Sequence, residues 1–281
     1  MLNNYLYLLR CTIELLPILE NASITEAFTQ EKNKLYLAIP TEEEPNRHIV
    51  ISAEQNLPYL LVKSDHRKAK KNVINFFDKY LPIQIINISI ALNERIIKFQ
   101  TSTGNLFFMI RGNRTNIIFI DNDDMINTFK KDDEMVKTVT DFSDLIFIDD
   151  FISLDQNQMV DFSFDSIKSQ FPYFSKHLYN HFQILKERSN LSDFESLKTI
   201  IDSIFFNPIS IYFSNSDSRV YFIPDNFYRN GNINDLNIFN NFNLALSIYI
   251  SIKYQHEKII TVSKHLNNFF DKELNRLSNK L

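Results

Sequence analysis

The apolar positions at the start of the chain follow a helical repeat. Five leucine and isoleucine residues recur at steps of three and four, which is the spacing of one helical face. They are Leu6, Leu9, Ile13, Leu16 and Leu19. The pattern predicts a helix over residues 2–19, and Pro17 is expected to close it.

Short apolar or alternating segments then predict a series of β-strands. The segments cover residues 23–30, 34–39, 48–52, 59–62, 84–92, 95–101, 106–111 and 116–121. The turn residues Asn93-Glu94, Gly104-Asn105 and Gly112-Asn113 separate the later strands by only a few positions. Such spacing favours antiparallel hairpins over crossover connections. The first part of the chain is therefore predicted to be an α+β domain with a curved antiparallel sheet or a sandwich.

One further helix is predicted between the two groups of strands. Val73, Phe76, Phe77 and Tyr80 are spaced as the apolar side of a helix over residues 68–80.

The second half of the chain has mostly helical patterns. Helices are predicted over residues 175–188 and 192–206, and a small hairpin over 209–223. From residue 241 to 281, apolar residues step by three and four in a pattern close to a coiled-coil seam. They are Ile259, Val262, Leu266, Phe270, Leu274, Leu277 and Leu281. Since the stretch from 121 to 165 is acidic and irregular, the domains are predicted as 1–160, 161–240 and 241–281.

Composition excludes several functional classes. Only three glycines occur, at 104, 112 and 231, and none are spaced for a phosphate-cradling glycine loop. The single cysteine, Cys11, excludes a disulfide within the chain and fits a reducing compartment. The start has no basic leading segment, and no long uncharged apolar run exists, so neither a signal peptide nor a membrane span is expected. These features together favour a cytoplasmic protein.

The most basic segment is a candidate phosphate-binding site, although the net charge of the chain is −4. It covers residues 63–71, and its cations are Lys63, Arg67, Lys68, Lys70 and Lys71, next to His66. At the start of the predicted helix, these side chains and the helix dipole would attract phosphate. The alternative interpretation is a solvated helix face.

Two predicted turns bear a second set of candidates. One contains Glu94 and Arg95, and the other contains Arg111, Asn113, Arg114 and Asn116. Arginine offers a planar fork for phosphate or base edges, and the amides add donors and acceptors. The alternative is ordinary hairpin chemistry.

Two other features give weaker signals. His177 and His181 have metal-ligand spacing on a predicted helix, but Leu178 stands where a metalloprotease would have glutamate, and no third ligand is evident. Cys11 lies in an apolar helix with no identifiable base. No metal, cofactor or catalytic residue is predicted.

The order of these segments resembles the N-terminal part of the NFACT proteins, which include bacterial RqcH and proteins labelled fibronectin-binding protein A. The similar segments are residues 19–39 (LENASITEAFTQEKNKLYLAI), 66–81 (HRKAKKNVINFFDKYL), 93–99 (NERIIKF), 112–118 (GNRTNII) and 255–281. Two positions depart from the family pattern. Asn21-Ala22 replaces a glycine pair, and Glu94 precedes Arg95 where the family has aspartate.

The resemblance implies a fold and a role. The first domain would look like the N-terminal domain of formamidopyrimidine-DNA glycosylases, followed by a helix-hairpin-helix-like domain and the start of a coiled coil. The module would bind tRNA, alanyl-tRNA in bacteria, and the large ribosomal subunit carrying peptidyl-tRNA. It would help to add C-terminal tails to stalled chains without mRNA, while the ribosome performs peptidyl transfer. The chain is thus expected not to be an enzyme.

Two alternatives stay open. A fibronectin-binding surface adhesin follows from the family label, and the absent signal peptide weighs against it. A DNA-repair relative follows from the implied fold, but the chain begins Met1-Leu2 and not with the Pro-Glu of those glycosylases.

Overall fold

The computed structural model describes residues 4–130, 142, 144–152, 161–172, 174–214, 219–227 and 233–278. The chain divides into two compact units. One comprises Met1–Asn207 with Asn226–Tyr228, and the other comprises Pro208–Asp225 with Arg229–Leu281. The boundaries predicted near residues 160 and 240 do not coincide with this division, and part of the first predicted boundary lies outside the described residues.

Helix α1 (Tyr5–Leu19) forms where the apolar repeat predicts it. The Asn4 side chain caps it by accepting a hydrogen bond from the Leu6 amide at 2.9 Å. Pro17 lies inside the last turn, and the helix continues for two residues beyond it. Because α1 is buried on most of its surface, it is a central packing element of the first unit.

An antiparallel sheet forms the larger layer of the first unit. Its strands are β1 (Ser23–Ile24), β7 (Ile83–Ala91), β8 (Ile96–Thr101), β9 (Gly104–Met109), β10 (Asn116–Asp121), β11 (Ile126–Thr128) and β12 (Phe147–Ile148). Strands β7 to β11 lie side by side in chain order, and β1 and β12 both pair with β7. Helix α1 packs against β7. Consecutive strands are joined by short turns, as the hairpin pattern predicts.

A second antiparallel sheet belongs to the same unit. Its strands are β2 (Glu26–Glu31), β3 (Lys34–Ala38), β4 (His48–Ser52), β5 (Tyr59–Lys63) and β6 (Ile74–Asn75), in the order β5-β4-β3-β2-β6. Its central strands are almost completely buried. Antiparallel sheets combined with helices confirm the predicted α+β class.

The helix predicted over residues 68–80 is wrong. This segment forms β6, which pairs with β2, and a short 3-10 turn at Asp78–Tyr80. Phe77 has a φ of 59°, a left-handed conformation that an α-helix does not accommodate. The aromatic spacing serves packing instead: Phe76 contacts Phe129, and Phe77 contacts Phe119.

Three helices follow among the described residues of the first unit. They are α2 (Phe164–Gln170), α3 (Lys176–Arg188) and α4 (Asp193–Phe206). The predicted helices 175–188 and 192–206 correspond to α3 and α4, with Ser175 and Ser192 as their N-caps. Helix α4 packs against α1 and α3.

The second unit is a small sheet with one long helix. Strands β13 (Ile209–Ser214), β14 (Arg219–Pro224) and β15 (Ile233–Phe239) form a sheet in the order β14-β13-β15, and helix α5 (Phe242–Ser278) packs on it. Phe222 of β14 contacts Phe242 and Tyr249 of α5 at ring-centroid distances of 5.3 and 5.2 Å. Beyond this contact, the predicted seam residues from Ile259 to Leu274 are exposed. Leu281 lies outside the described residues.

None of the described helices combines the length and apolar character that a membrane-spanning segment needs.

Candidate nucleic-acid interface

Two turns at one end of the larger sheet bring the candidate arginines together. Ile96 of β8 pairs with Met109 of β9, and the Ile110 amide donates a hydrogen bond to the Arg95 carbonyl at 2.9 Å. The β7–β8 turn therefore lies beside the β9–β10 turn. We call the set Glu94, Arg95, Arg111, Asn113 and Arg114 the arginine tip.

Backbone conformation fixes both turns. Asn93 has a φ of 62° and Gly112 a φ of 58°, and both values fall in the left-handed region. No atom lies within 4 Å of the position that a Cβ on Gly112 would occupy. Gly112 is therefore required for its backbone conformation and not for close packing.

Thr115 holds the β9–β10 turn from inside. Its hydroxyl donates to the Gly112 carbonyl at 2.8 Å and accepts from the Arg111 amide at 3.1 Å. The residue is 1% exposed, so these bonds are shielded from water. They set the position of the backbone from which Arg111, Asn113 and Arg114 project.

Asn116 has an internal role that differs from the predicted one. It is 1% exposed. Its Oδ1 accepts from the Lys130 amide at 2.8 Å, and its Nδ2 donates to the Lys130 carbonyl at 2.9 Å. Since the amide is used inside the protein, Asn116 supports the turn and does not present its side chain to a ligand.

The charged side chains of the tip face solvent. Glu94, Arg111, Asn113 and Arg114 are exposed, and Arg95 is partly buried. Within the described part of the chain, neither Arg95 nor Arg111 forms an ion pair with a carboxylate. Their guanidinium groups can therefore bind an external anion without first breaking an internal bridge.

The other basic segment forms an irregular loop and not the helix predicted there. We call residues 66–71, between β5 and β6, the basic loop. Arg67, Lys68, Lys70 and Lys71 are all exposed. The loop is attached to the second sheet by two backbone amides: Ala69 donates to Gln30 Oε1 at 2.7 Å, and His66 donates to the Asn46 carbonyl at 3.0 Å.

Part of the charge of the basic loop is neutralised within the protein. Lys68 Nζ lies 2.6 Å from Glu26 Oε2 and 4.7 Å from the ring centroid of Phe28. Among the described residues, no helix terminus lies at the loop to add its dipole. Arg67, Lys70 and Lys71 remain as its exposed cations.

Aromatic packing fixes the start of the basic loop. The His66 ring stacks on Tyr36 at a centroid distance of 4.2 Å and an interplanar angle of 8°. The Tyr36 hydroxyl donates to Glu31 at 2.5 Å. Burial lowers the pKa of His66, and the nearby His48 and Lys63 lower it further. The stack therefore favours a neutral imidazole at this position.

The two basic sets attach to different parts of the first unit. Lys130, which Asn116 holds beside the tip, donates from Nζ to the carbonyl of Ala53, just after β4. His66 of the basic loop is bonded to Asn46, just before β4. At about 3.3 Å per strand residue these attachments are roughly 20 Å apart. The basic loop and Lys130, which supports the tip, are therefore attached at opposite ends of β4.

Lys130 is a member of this region that the sequence pattern misses. It lies 14 positions from Asn116, and nothing in its local sequence indicates that contact. Burial lowers the pKa of its amine. The contact between Asn116, at the start of β10, and Lys130, just after β11, becomes visible only once the pairing of β10 with β11 is known.

Solved structures show which fold this arrangement belongs to. The fibrinogen-binding protein from Staphylococcus aureus aligns with a TM-score of 0.57 and 13% identity, covering 88% of this chain and 98% of that one. The N-terminal part of the fibronectin/fibrinogen-binding protein from Streptococcus suis aligns with a TM-score of 0.56 and 16% identity, covering 89% and 99%. The chain thus has the fold of these two structures.

Comparisons by sequence add no relative. No model of a known protein family matches the chain, and no curated protein matches it.

Proposed function

We propose that this chain is an RNA-binding module whose arginine tip contacts tRNA or ribosomal RNA. The observation that supports the proposal most is the adjacency of Arg95 and Arg111 on two bonded turns. Arg111 is exposed, Arg95 is partly buried, and neither forms an ion pair with a carboxylate of the described residues. Two guanidinium groups on one rigid support suit recognition of phosphates and unpaired bases.

Residues of the arginine tip lie in two of the segments that resemble the NFACT family, 93–99 and 112–118. The Glu94-Arg95 turn and the Gly112–Asn116 motif come from separate strands, yet they meet at one end of the sheet. Convergence of both motifs on one surface favours a shared binding role over unrelated hairpin chemistry. In this proposal Glu94 and Asn113 supply an acceptor and an amide beside the arginines.

The basic loop has a secondary role in the proposal. Arg67, Lys70 and Lys71 would contact phosphates of a ligand long enough to reach the second sheet. Their contribution would be independent of sequence, because lysine acts on phosphate as a point charge.

The finer identity in our proposal is a ribosome quality-control factor of the NFACT type. It would recruit charged tRNA, alanyl-tRNA by resemblance, to a large ribosomal subunit that carries peptidyl-tRNA. The chain would act in the cytoplasm by binding and positioning, while peptide-bond formation belongs to the ribosome. The fold shared with the two bacterial proteins above is compatible with this identity.

Equilibrium binding to tRNA tests the proposal. Fluorescence anisotropy with labelled tRNA should give a lower affinity for an Arg95→Glu, Arg111→Glu double variant, by at least about tenfold. Arg219→Glu is the matched control, because Arg219 is an exposed arginine of the second unit. Equal affinities of all three proteins for tRNA would overturn the proposal.

Binding of fibronectin or fibrinogen, as in a surface adhesin, is a second candidate, favoured by the names of the two similar proteins. It is tested by adding purified fibronectin or fibrinogen to the immobilised chain. Saturable binding that survives the double variant would support this candidate against the RNA proposal. A DNA-repair activity, the remaining alternative, has no observation in its favour beyond the resemblance.

A further inference from the structure

Two histidines of helix α3 form a close pair that the proposed RNA interface does not use. His177 and His181 are four residues apart, so they lie on the same face of the helix. Their Nε2 atoms are 3.2 Å apart. The rings are nearly perpendicular, with an interplanar angle of 87° and a centroid distance of 4.6 Å.

The surroundings of the pair hold one ring in place and leave the other accessible. His181 is 7% exposed and packs against Phe227 at a ring-centroid distance of 4.5 Å. His177 is exposed to solvent. Among the described residues, the two rings form one hydrogen bond, and it joins their Nε2 atoms. A buried ring nitrogen thus points at a second ring nitrogen that solvent can reach.

The distance between these nitrogens matches that of two ligands of one metal ion. Zinc binds imidazole nitrogen at about 2.0–2.1 Å. Two such nitrogens are about 3.4 Å apart at a tetrahedral angle and about 2.9 Å apart at a right angle. The observed 3.2 Å lies between these values. In the hydrogen bond one of the two Nε2 atoms carries the proton. When that proton moves to Nδ1 of the same ring, both Nε2 atoms have a lone pair, and rotation of the side chains can direct both lone pairs to one ion.

We propose that His177 and His181 bind one divalent transition-metal ion, such as Zn²⁺, through their Nε2 atoms. Solvent molecules fill the remaining coordination positions, because the described residues contain no group of three or more histidine, cysteine, aspartate or glutamate side chains suited to a metal. Imidazole ligands suit zinc, copper and nickel, whereas magnesium and calcium prefer oxygen. The site is consequently of moderate affinity and selective against the last two ions.

The site differs from that of a metalloprotease. Leu178 occupies the position after the first histidine, where the helical zinc-protease motif has its glutamate base. No base for activating water is thus supplied by this motif. We assign the pair to metal binding alone. A bound ion would stabilise helix α3 and the contact of His181 with Phe227.

Isothermal titration of the metal-free full chain with Zn²⁺ tests this inference. The wild type should bind one ion at this site, and Mg²⁺ should not compete. His177→Ala removes one ligand from an exposed position, so α3 should still fold, which circular dichroism checks. Since loss of even an outer partner of a metal ligand costs about 10- to 100-fold in affinity, this variant should lose at least that much.

His265→Ala is the matched control, because His265 is an exposed histidine on helix α5. It should bind Zn²⁺ as the wild type does. The inference is overturned if His177→Ala and His265→Ala bind equally, or if the wild type does not bind, which would mean that the two rings share a hydrogen bond only. Affinity for tRNA is measured in parallel and should not change in His177→Ala, so failure of one proposal is distinguishable from failure of the other.

Discussion

The arginine tip and the basic loop both present cations, but the protein holds them by different means. Arg95 and Arg111 project from turns fixed by backbone bonds and by the buried hydroxyl of Thr115. In the loop, Lys68 is paired with Glu26 on the surface, and the backbone is attached by two amides. The segment with more cations in sequence therefore has part of its charge neutralised, whereas Arg95 and Arg111 of the tip form no ion pair with a carboxylate of the described residues.

This difference shows that the number of basic residues in a segment is a poor measure of the charge available to a polyanion. What matters is whether a carboxylate lies within reach and whether the backbone beneath the cation is rigid. Buried polar contacts support the tip, so its supporting residues should be sensitive to substitution. Residues 67–71 of the loop are exposed to solvent, so they should tolerate change, whereas His66 is held by its stack on Tyr36.

The largest expected effect is at Asn116, which joins β10 to Lys130 beneath the tip. Asn116→Ala leaves the backbone amide and carbonyl of Lys130 without their side-chain partner, and we expect a loss of about 2–3 kcal/mol in the free energy of unfolding. Urea denaturation measures this loss. The neighbouring Asn113→Ala is the control, since an exposed substitution should change stability by less than about 0.5 kcal/mol. Equal losses would show that the tip is not supported from inside.

A smaller effect is expected at Gly112. A residue with a Cβ pays a backbone cost of about 1–2 kcal/mol in the left-handed conformation, and no neighbouring atom adds a clash. Gly112→Ala should therefore lower stability by that amount in urea denaturation and should weaken tRNA binding along with it. Gly112→Asn should lose less, because asparagine tolerates this conformation better. Equal losses of stability in the alanine and asparagine variants would contradict the claim that Gly112 is required for its positive φ.

Acidification should affect the loop more than the tip. The pKa of His66 is lowered by burial and by His48 and Lys63, against the opposing influence of Glu31 and Asp65. The pKa of His48 is also lowered by burial. The unfolded chain therefore binds more protons than the folded one once pH falls below about 6.5. The free energy of unfolding should have its full value above about pH 7. It should decrease as pH falls from there toward the folded-state pKa values of His66 and His48.

Thermal unfolding between pH 7.5 and 5 measures this loss. His66→Gln, which cannot gain a proton, should show a shallower decrease of the unfolding temperature than the wild type. His265→Gln, at an exposed position of α5, should follow the wild type. A His66→Gln curve parallel to the wild-type curve would rule out the stacked histidine as a source of the pH dependence.

The smallest effect is expected at the surface ion pair of the loop. The Lys68 and Glu26 side chains are 38% and 54% exposed, and exposed pairs contribute less than about 1 kcal/mol. Glu26→Gln should therefore leave stability almost unchanged and should raise tRNA affinity slightly at low salt, because Lys68 becomes available. Anisotropy at two salt concentrations measures this gain. A decrease in affinity would indicate that the loop does not face the RNA.

The strands around the tip could be predicted because local patterns determine them. Turn residues at Asn93 and Gly112 separate short apolar segments, and the structure has hairpins at both positions. Helices α3 and α4 were predictable from serine caps followed by apolar repeats. The strand order then places both turns at the same end of the sheet.

The features that could not be predicted depend on contacts between residues that are mostly far apart in the sequence. Phe76 and Phe77 belong to a segment whose apolar residues have helical spacing, but they pack against Phe129, just after β11, and Phe119 of β10. Asn116 looks like an exposed turn residue in sequence, and only its bonds to Lys130 reveal that it is buried. Likewise, the spacing of His177 and His181 does not give the 3.2 Å approach of their nitrogens. Such long-range packing is not encoded in any short window.

The central claim is that the tip, and not the loop, dominates RNA binding, and the salt dependence of tRNA affinity tests it most directly. The Arg95→Glu, Arg111→Glu variant is compared with an Arg67→Glu, Lys70→Glu, Lys71→Glu variant over a range of salt concentrations. We predict the larger loss for the tip variant, persisting at high salt, and for the loop variant a loss that disappears as salt screens phosphate contacts. A larger loss for the loop variant at every salt concentration would contradict the account.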